Sequence, residues 1–126
     1  MRIIKDYQAI KDKFDFYESY VTGIKWSEDL FDLILTLNYF NDQPSGCKNK
    51  DINVILKDCN VALFNVPQEA KEDLAANNRM AISYVAYSIE TFEVIKEANN
   101  LKVIVGTTTN NHKWLEANCC ELWVEY

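Results

Sequence analysis

Two asparagine pairs punctuate the last third of this chain and limit what it can fold into. Asn99-Asn100 and Asn110-Asn111 tolerate left-handed backbone, and they separate "TFEVIKE", "LKVIVGTTT" and "KWLEANCCELWVEY" at hairpin spacing. Stretches rich in β-branched and aromatic residues between such turns predict an antiparallel meander. In its last strand Leu122 and Val124 share one parity, and Glu121, Trp123 and Glu125 share the other. Side chains alternate across a strand, so the expectation is a buried apolar face and an acidic, tryptophan-bearing outer face.

Upstream, "DINVILKDCNVALFNV" sets Ile52, Val54 and Leu56 against Asn53, Ile55 and Lys57, which suits a strand able to pair with its predecessor as a long hairpin. That predecessor, "GIKWSEDLFDLILTLNYF", fits two templates. Ser27 before Glu28 and Asp29 is a good helix cap, with Leu30, Leu33, Ile34 and Leu37 at helical spacing. As a strand, Phe31, Leu33, Leu35, Leu37 and Tyr39 form one apolar face, interrupted on the other side by Asp32, Thr36 and Asn38. Pattern alone leaves residues 27–40 open.

At the other end of the chain, Ile3, Tyr7, Ile10, Phe14 and Tyr17 recur at three- and four-residue steps, which predicts one amphipathic helix within residues 1–20 packed on the body of the domain. "PQEAKEDLAANN" reads as a short solvated helix or loop, and "AISYVAYSIETFEVIKE" as strand, although its second half also has helical spacing. The expected fold is α+β but mainly β. One domain spans residues 1–126, with a helix over 1–20 and an antiparallel sheet or β-sandwich-like body over 24–126. At 126 residues and 48% hydrophobic, the chain has enough apolar material for a single core without staples.

Charge narrows the partners. Nineteen acids against thirteen bases give a net charge of −6, and the bases include only two arginines, Arg2 and Arg79. Phosphate-backbone binding runs on clustered lysine and arginine, so no nucleic-acid partner is expected. No stretch approaches the roughly 18 apolar residues of a membrane span, and the first twenty residues lack a signal-peptide pattern, so the expectation is a soluble cytoplasmic protein with no membrane partner. Cys47, Cys59, Cys119 and Cys120 have neither CxxC spacing nor a disulfide framework, which points to reduced thiols. Cys119 and Cys120 with His112 do not make a metal site, because strand neighbours point apart and zinc wants four convergent ligands.

Catalysis finds little to work with. His112, the one histidine, stands among asparagines in what reads as a polar turn, with no orienting partner to make it a general base. Glu28 and Asp29 are neighbours that diverge on a strand, which argues against paired-carboxylate chemistry. Gly23, Gly46 and Gly106 are scattered and form no phosphate-cradling loop. No catalytic residue, cofactor or metal is therefore expected. The tryptophans Trp26, Trp114 and Trp123 read first as core or sheet cover, and second as interface anchors on an acidic rim.

The order "IKWSEDLFDLILTL", a polar turn, "INVILKDCNVALFNVP", a β-rich middle and a terminal "LEANCCELWVEY" resembles the Imm50-like immunity proteins of bacterial polymorphic-toxin systems. In those proteins a Trp-led acidic turn opens a strand, a strand with an "lxfxdcxxl"-like phrase follows, and the chain closes on Val-Glu. The resemblance covers residues 24–126 and leaves the N-terminal helix outside. Where those proteins often carry a histidine and an acid after the tryptophan, this chain has Ser27, Glu28 and Asp29, so no histidine role carries over. The resemblance implies a β-sandwich-like, non-catalytic domain that neutralises a cognate toxin domain, and it favours the strand reading of 27–40 with Trp26 at its entrance.

Net acidity suits a basic toxin such as a nuclease, met by an acidic face drawn from Trp26, Glu28, Asp29, Asp32, Glu121, Trp123 and Glu125. The alternative is a small-ligand-binding or enzymatic β-domain, with an aromatic pocket between the sheet and the N-terminal helix.

Overall fold

The computed structural model describes residues 2–65, 88–107 and 111–126, without the side chains of Asn111 and His112. In chain order the described elements are β1 (Ile3–Ile4), α1 (Tyr7–Lys13), β2 (Tyr20–Trp26), β3 (Leu33–Asn38), β4 (Asp51–Lys57), β5 (Val61–Phe64), β6 (Ile89–Lys96), β7 (Leu101–Thr107), β8 (Asn111–Cys119) and β9 (Glu121–Glu125). They form two antiparallel sheets, ordered β1-β9-β4-β3-β2 and β5-β8-β7-β6, whose buried faces share one hydrophobic core. Among the described residues no helix is long and apolar enough to cross a membrane.

Period-two alternation builds that core. Leu33, Leu35 and Leu37 of β3 stand opposite Leu56, Val54 and Ile52 of β4, and Val54 and Leu56 stand opposite Val124 and Leu122 of β9. All of these are buried. In the second sheet Leu101, Val103 and Val105 of β7 face Cys119, Ala117 and Leu115 of β8, again buried. Each large aliphatic side chain so enclosed stabilises the fold by about 1.5–3 kcal/mol. A charge at Val54, in the middle of the first sheet, would break it. Trp114 is also fully buried, edge-on to Phe64 with ring centroids 5.6 Å apart, so it belongs to the interior and not to a rim.

The β3–β4 hairpin and the β6-β7-β8 meander follow the sequence pattern, but four expectations need correction. First, the helix expected within residues 1–20 is only Tyr7–Lys13. Asp6 caps it by accepting from the Gln8 N–H at 3.2 Å, and Phe14 leaves it in extended backbone. Beyond both ends, strand pairing supplies stronger partners: Ile3 and Ile4 pair with Glu125 and Val124, the Glu18 N–H donates to Ile89 O, and the Ile89 N–H donates to Ser19 O. Tertiary pairing overrides helix propensity there. Ile10 and Phe14 are buried as the stripe predicts, whereas Ile3 and Tyr17 are about half exposed.

Second, residues 20–26 form a strand of their own, and Trp26 closes β2 instead of opening β3. Residues 27–32 turn between them, so Phe31 does not join the inward face and is 62% exposed. Third, "KWLEANCCELWVEY" is not one strand. The buried frame runs Leu115, Ala117, Cys119 and then Leu122, Val124, slipping by one residue at Cys120, where the chain crosses from the four-stranded to the five-stranded sheet. Fourth, His112 lies within β8 and not in a turn. Residues 89–96 are strand as expected, while "PQEAKEDLAANN" and the first half of "AISYVAYSIETFEVIKE" lie outside the described residues.

Candidate functional site

The seven residues singled out by sequence fall into two groups. Asp32, Glu121, Trp123 and Glu125 lie together on or beside the outward face of the five-stranded sheet, with Trp123 and Glu125 in opposite parity to buried Leu122 and Val124. Cross-strand register lays this face out in rows: Ile34–Ile55–Trp123 is apolar, and Thr36–Asn53–Glu125 is polar. A third, charged row follows from Lys57 opposite Glu121, with Asp32 beside Lys57.

Each of these groups already has a partner. Lys57 Nζ lies 2.7 Å from Asp32 Oδ2, and the Asp58 N–H donates to Asp32 Oδ1 at 3.0 Å. The Trp123 Nε1–H donates to Glu121 Oε2 at 2.7 Å, while Lys5 Nζ and Lys57 Nζ sit 4.3 and 4.5 Å from the Trp123 ring. Such cation–π contacts contribute about 0.5–1 kcal/mol each when exposed. Thr36 Oγ1 donates to Asn53 Oδ1 at 2.8 Å, and Asn53 Nδ2 donates to Glu125 Oε1 at 3.1 Å. The Asp32 carboxylate holds Lys57 protonated to higher pH than an ordinary lysine. The outer face is thus acidic in composition but internally compensated.

Trp26, Glu28 and Asp29 belong to the β2–β3 turn. Ser27 Oγ donates to Asp29 Oδ1 at 2.6 Å and accepts from the Asp32 N–H at 3.0 Å, and the Phe31 N–H donates to Asp29 Oδ1 at 3.1 Å. These side-chain bonds satisfy the turn backbone locally, so neither helix nor strand wins here. The Ser27 hydroxyl, followed by the Phe31 N–H, holds the Asp29 carboxyl below its usual range. What remains outside is apolar: Leu30 is 69% exposed, with Phe31, Trp26 and Ile24 all substantially exposed beside it.

Cys47, Cys59, Cys119 and Cys120 are free thiols, the first three buried. Burial, with Cys59 and Cys120 nearby, pushes the Cys119 thiol up to about 12, which keeps it protonated and unreactive. No group of three or more metal-ligating side chains converges among the described residues. Burial also raises the Tyr39 hydroxyl, which accepts from the Asp15 N–H and donates to Gln43 O. Its position ties the segment after α1 to the loop after β3.

A cleft of about 190 Å³ does lie beside α1, lined by Ile10, Phe14, Phe16, Phe92, Val94 and Leu122 among others. It is smaller than the roughly 300 Å³ at which small-molecule sites begin. A second cleft, of about 300 Å³, adjoins it and shares Tyr17 and Glu90. Sequence reasoning missed this second site because its residues come from three separate segments with no shared motif. No protein-family model, curated protein or solved structure matches the chain.

Proposed function

We propose that this protein is a cytoplasmic, non-catalytic immunity domain, built as a β-sandwich, that binds and neutralises a cognate toxin domain. The observation that carries this reading is the β2–β3 turn, where Trp26, Leu30 and Phe31 stand exposed beside Glu28 and Asp29. A contiguous apolar patch with a charged rim is the usual make-up of a protein contact, and tryptophan is a favoured anchor in one. The Imm50-like order of strands and turns supplies the partner class. Net charge of −6 favours a basic toxin, a nuclease among them, whose encounter with this surface would be sped by opposite charge. Asp32, Glu121, Trp123 and Glu125 take second place in this reading, because their intramolecular partners would compete with any toxin.

The test is capture of the tagged chain from its host, or on co-expression with the product of the adjacent upstream gene, repeated at high salt. A stoichiometric partner ending in a small toxin domain, with growth rescued when both are made, is the expected result. A chain recovered alone overturns the proposal. Binding indifferent to salt and to charge reversal at Glu28 and Asp29 removes its electrostatic part.

The small-ligand alternative retains one observation in its favour, the aromatic cleft beside α1. Shifts in melting temperature across a metabolite screen would support it, and a flat screen would count against it.

A further inference from the structure

The two sheets are stitched together at one seam. Glu18 and Ser19 exchange backbone hydrogen bonds with Ile89 at 2.8 Å each, and Tyr20 bridges to Ser88. At this seam lies the 300 Å³ cleft, lined by Tyr17, Glu18, Tyr20, Phe40, Ser88 and Glu90. Three of its walls are aromatic rings that are 39–51% exposed. Its two carboxylates, Glu18 and Glu90, have no cationic partner among the described residues, in contrast to Asp32 with Lys57 and Glu116 with Lys102. Ser88, on the same wall, is only 8% exposed.

Aromatic faces carry negative potential, and free carboxylates add full charge, so the cleft suits a cation with donor N–H groups. An anion would meet both glutamates. A purely apolar guest would leave the carboxylates without partners, at a desolvation cost. Phe40 already shows the preference, with Lys48 Nζ 5.7 Å from its ring centroid, but Lys48 is itself held by Asp42 at 3.2 Å. Lys11 lines the adjoining cleft and not this one.

We infer that this cleft is a receptor for an arginine or lysine side chain on a basic protein segment, a second contact at the opposite end of β2 from Trp26. The inference rests on the toxin-binding reading for its choice of a protein as the source of the cation. Net charge of −6 draws such a segment toward the chain, and the planar guanidinium of arginine can stack on a tyrosine while its N–H groups meet a glutamate.

The experiment titrates the full chain with an acetylated hexa-arginine peptide, with free arginine amide and a hexaglutamate peptide as comparisons, read by backbone amide shifts. The expected result is saturable shifts confined to residues 15–20, 40 and 88–92 with the arginine peptide. Glu18→Gln with Glu90→Gln should weaken that binding by about tenfold or more, and Tyr17→Ala should weaken it less. Glu116→Gln, whose carboxylate is already paired with Lys102, should leave it unchanged.

Shifts spread over the whole surface, or binding by the double variant within twofold of the original, would overturn the assignment. Arginine amide binding as tightly as the peptide would overturn the choice of a protein segment. If the tagged chain captures its toxin and the double variant captures it equally well, the cleft loses its role while the toxin reading stands. If no toxin is captured yet the peptide binds as described, the reading fails and the cation site stands.

Discussion

The outer face of the five-stranded sheet and the β2–β3 turn are made of the same parts, a tryptophan among carboxylates, yet they present them differently. On the sheet, Trp123 lies against two lysines and Glu121, and Asp32 and Glu125 each meet a cation or an amide donor. At the turn, Trp26 closes an edge strand, and Leu30 and Phe31 project beside it with Glu28 and Asp29. A strand in the middle of a sheet brings its neighbours' side chains within 5 Å or so, and opposite charges then find each other. The tip of the turn, Glu28 to Phe31, lies outside that ladder, and only Asp32 at its base reaches Lys57. Carboxylates available to a partner are therefore those that the pleated ladder has not already placed beside a base.

The comparison is broken most decisively at the turn. Trp26→Ala combined with Phe31→Ala should lower toxin affinity by about 2–4 kcal/mol while barely moving the melting temperature, since both rings are exposed. Titration calorimetry and a thermal melt read the two effects. An intact affinity would hand the contact back to the sheet.

Asp32→Ala should behave in the opposite way. It strips Lys57 and the Asp58 N–H of their acceptor and should destabilise by about 1–3 kcal/mol in urea unfolding, leaving toxin affinity nearly unchanged. Adding Lys57→Met should recover much of that loss, because no uncompensated ammonium then remains. As the folded pKa of Lys57 is raised, its stabilisation is fully present below the unfolded lysine value and is lost as pH rises through the raised one. An effect of Asp32→Ala on affinity with none on stability would reverse the roles of the two regions.

Ser27→Ala sharpens the picture of the turn. Without the hydroxyl donor the Asp29 titration midpoint should move upward, as followed by its carboxyl carbon shift. Because the folded value is depressed, the contribution of Asp29 is present above the unfolded carboxylate pKa and disappears as pH falls through the folded one. A midpoint that stays in place would show that the Phe31 N–H alone sets it. Smallest of all should be Gly23→Ala. A Cβ there meets Thr36 Cβ at 3.5 Å, an ordinary contact, so a stability change within about 0.5 kcal/mol of zero is expected.

Much of this architecture was legible in the alternation of residues, and the reason is physical. Leu33 to Leu37, Ile52 to Leu56, and Leu122 with Val124 face a single core, so their period of two survives in the sequence unblurred. The helix over residues 1–20 misled because Ile3, Tyr7 and Phe14 satisfy helical spacing while belonging to a strand, a short helix and an extended segment, each fixed by residues far along the chain. The outward parity of Trp123 and Glu125 could be read, but the neutralisation of that face by Lys5 and Lys57 could not, since it depends on which strands lie side by side. The three-residue step from Cys119 to Leu122 was the one local sign that the final stretch divides.

That step has a consequence for how the molecule comes into being. β9 is the last of the described elements, and it is the member through which β1 joins β4 in the five-stranded sheet, with Ile3 opposite Glu125. On a ribosome, every other described strand of this sheet is synthesised before the one that joins β1 to β4. Until β9 emerges, β4 and the residues of β1 must wait with open edges. The slowest step of maturation should then be this long-range joining of β1 to β4 through β9, and the nascent chain is most prone to wrong strand pairing in the interval before it.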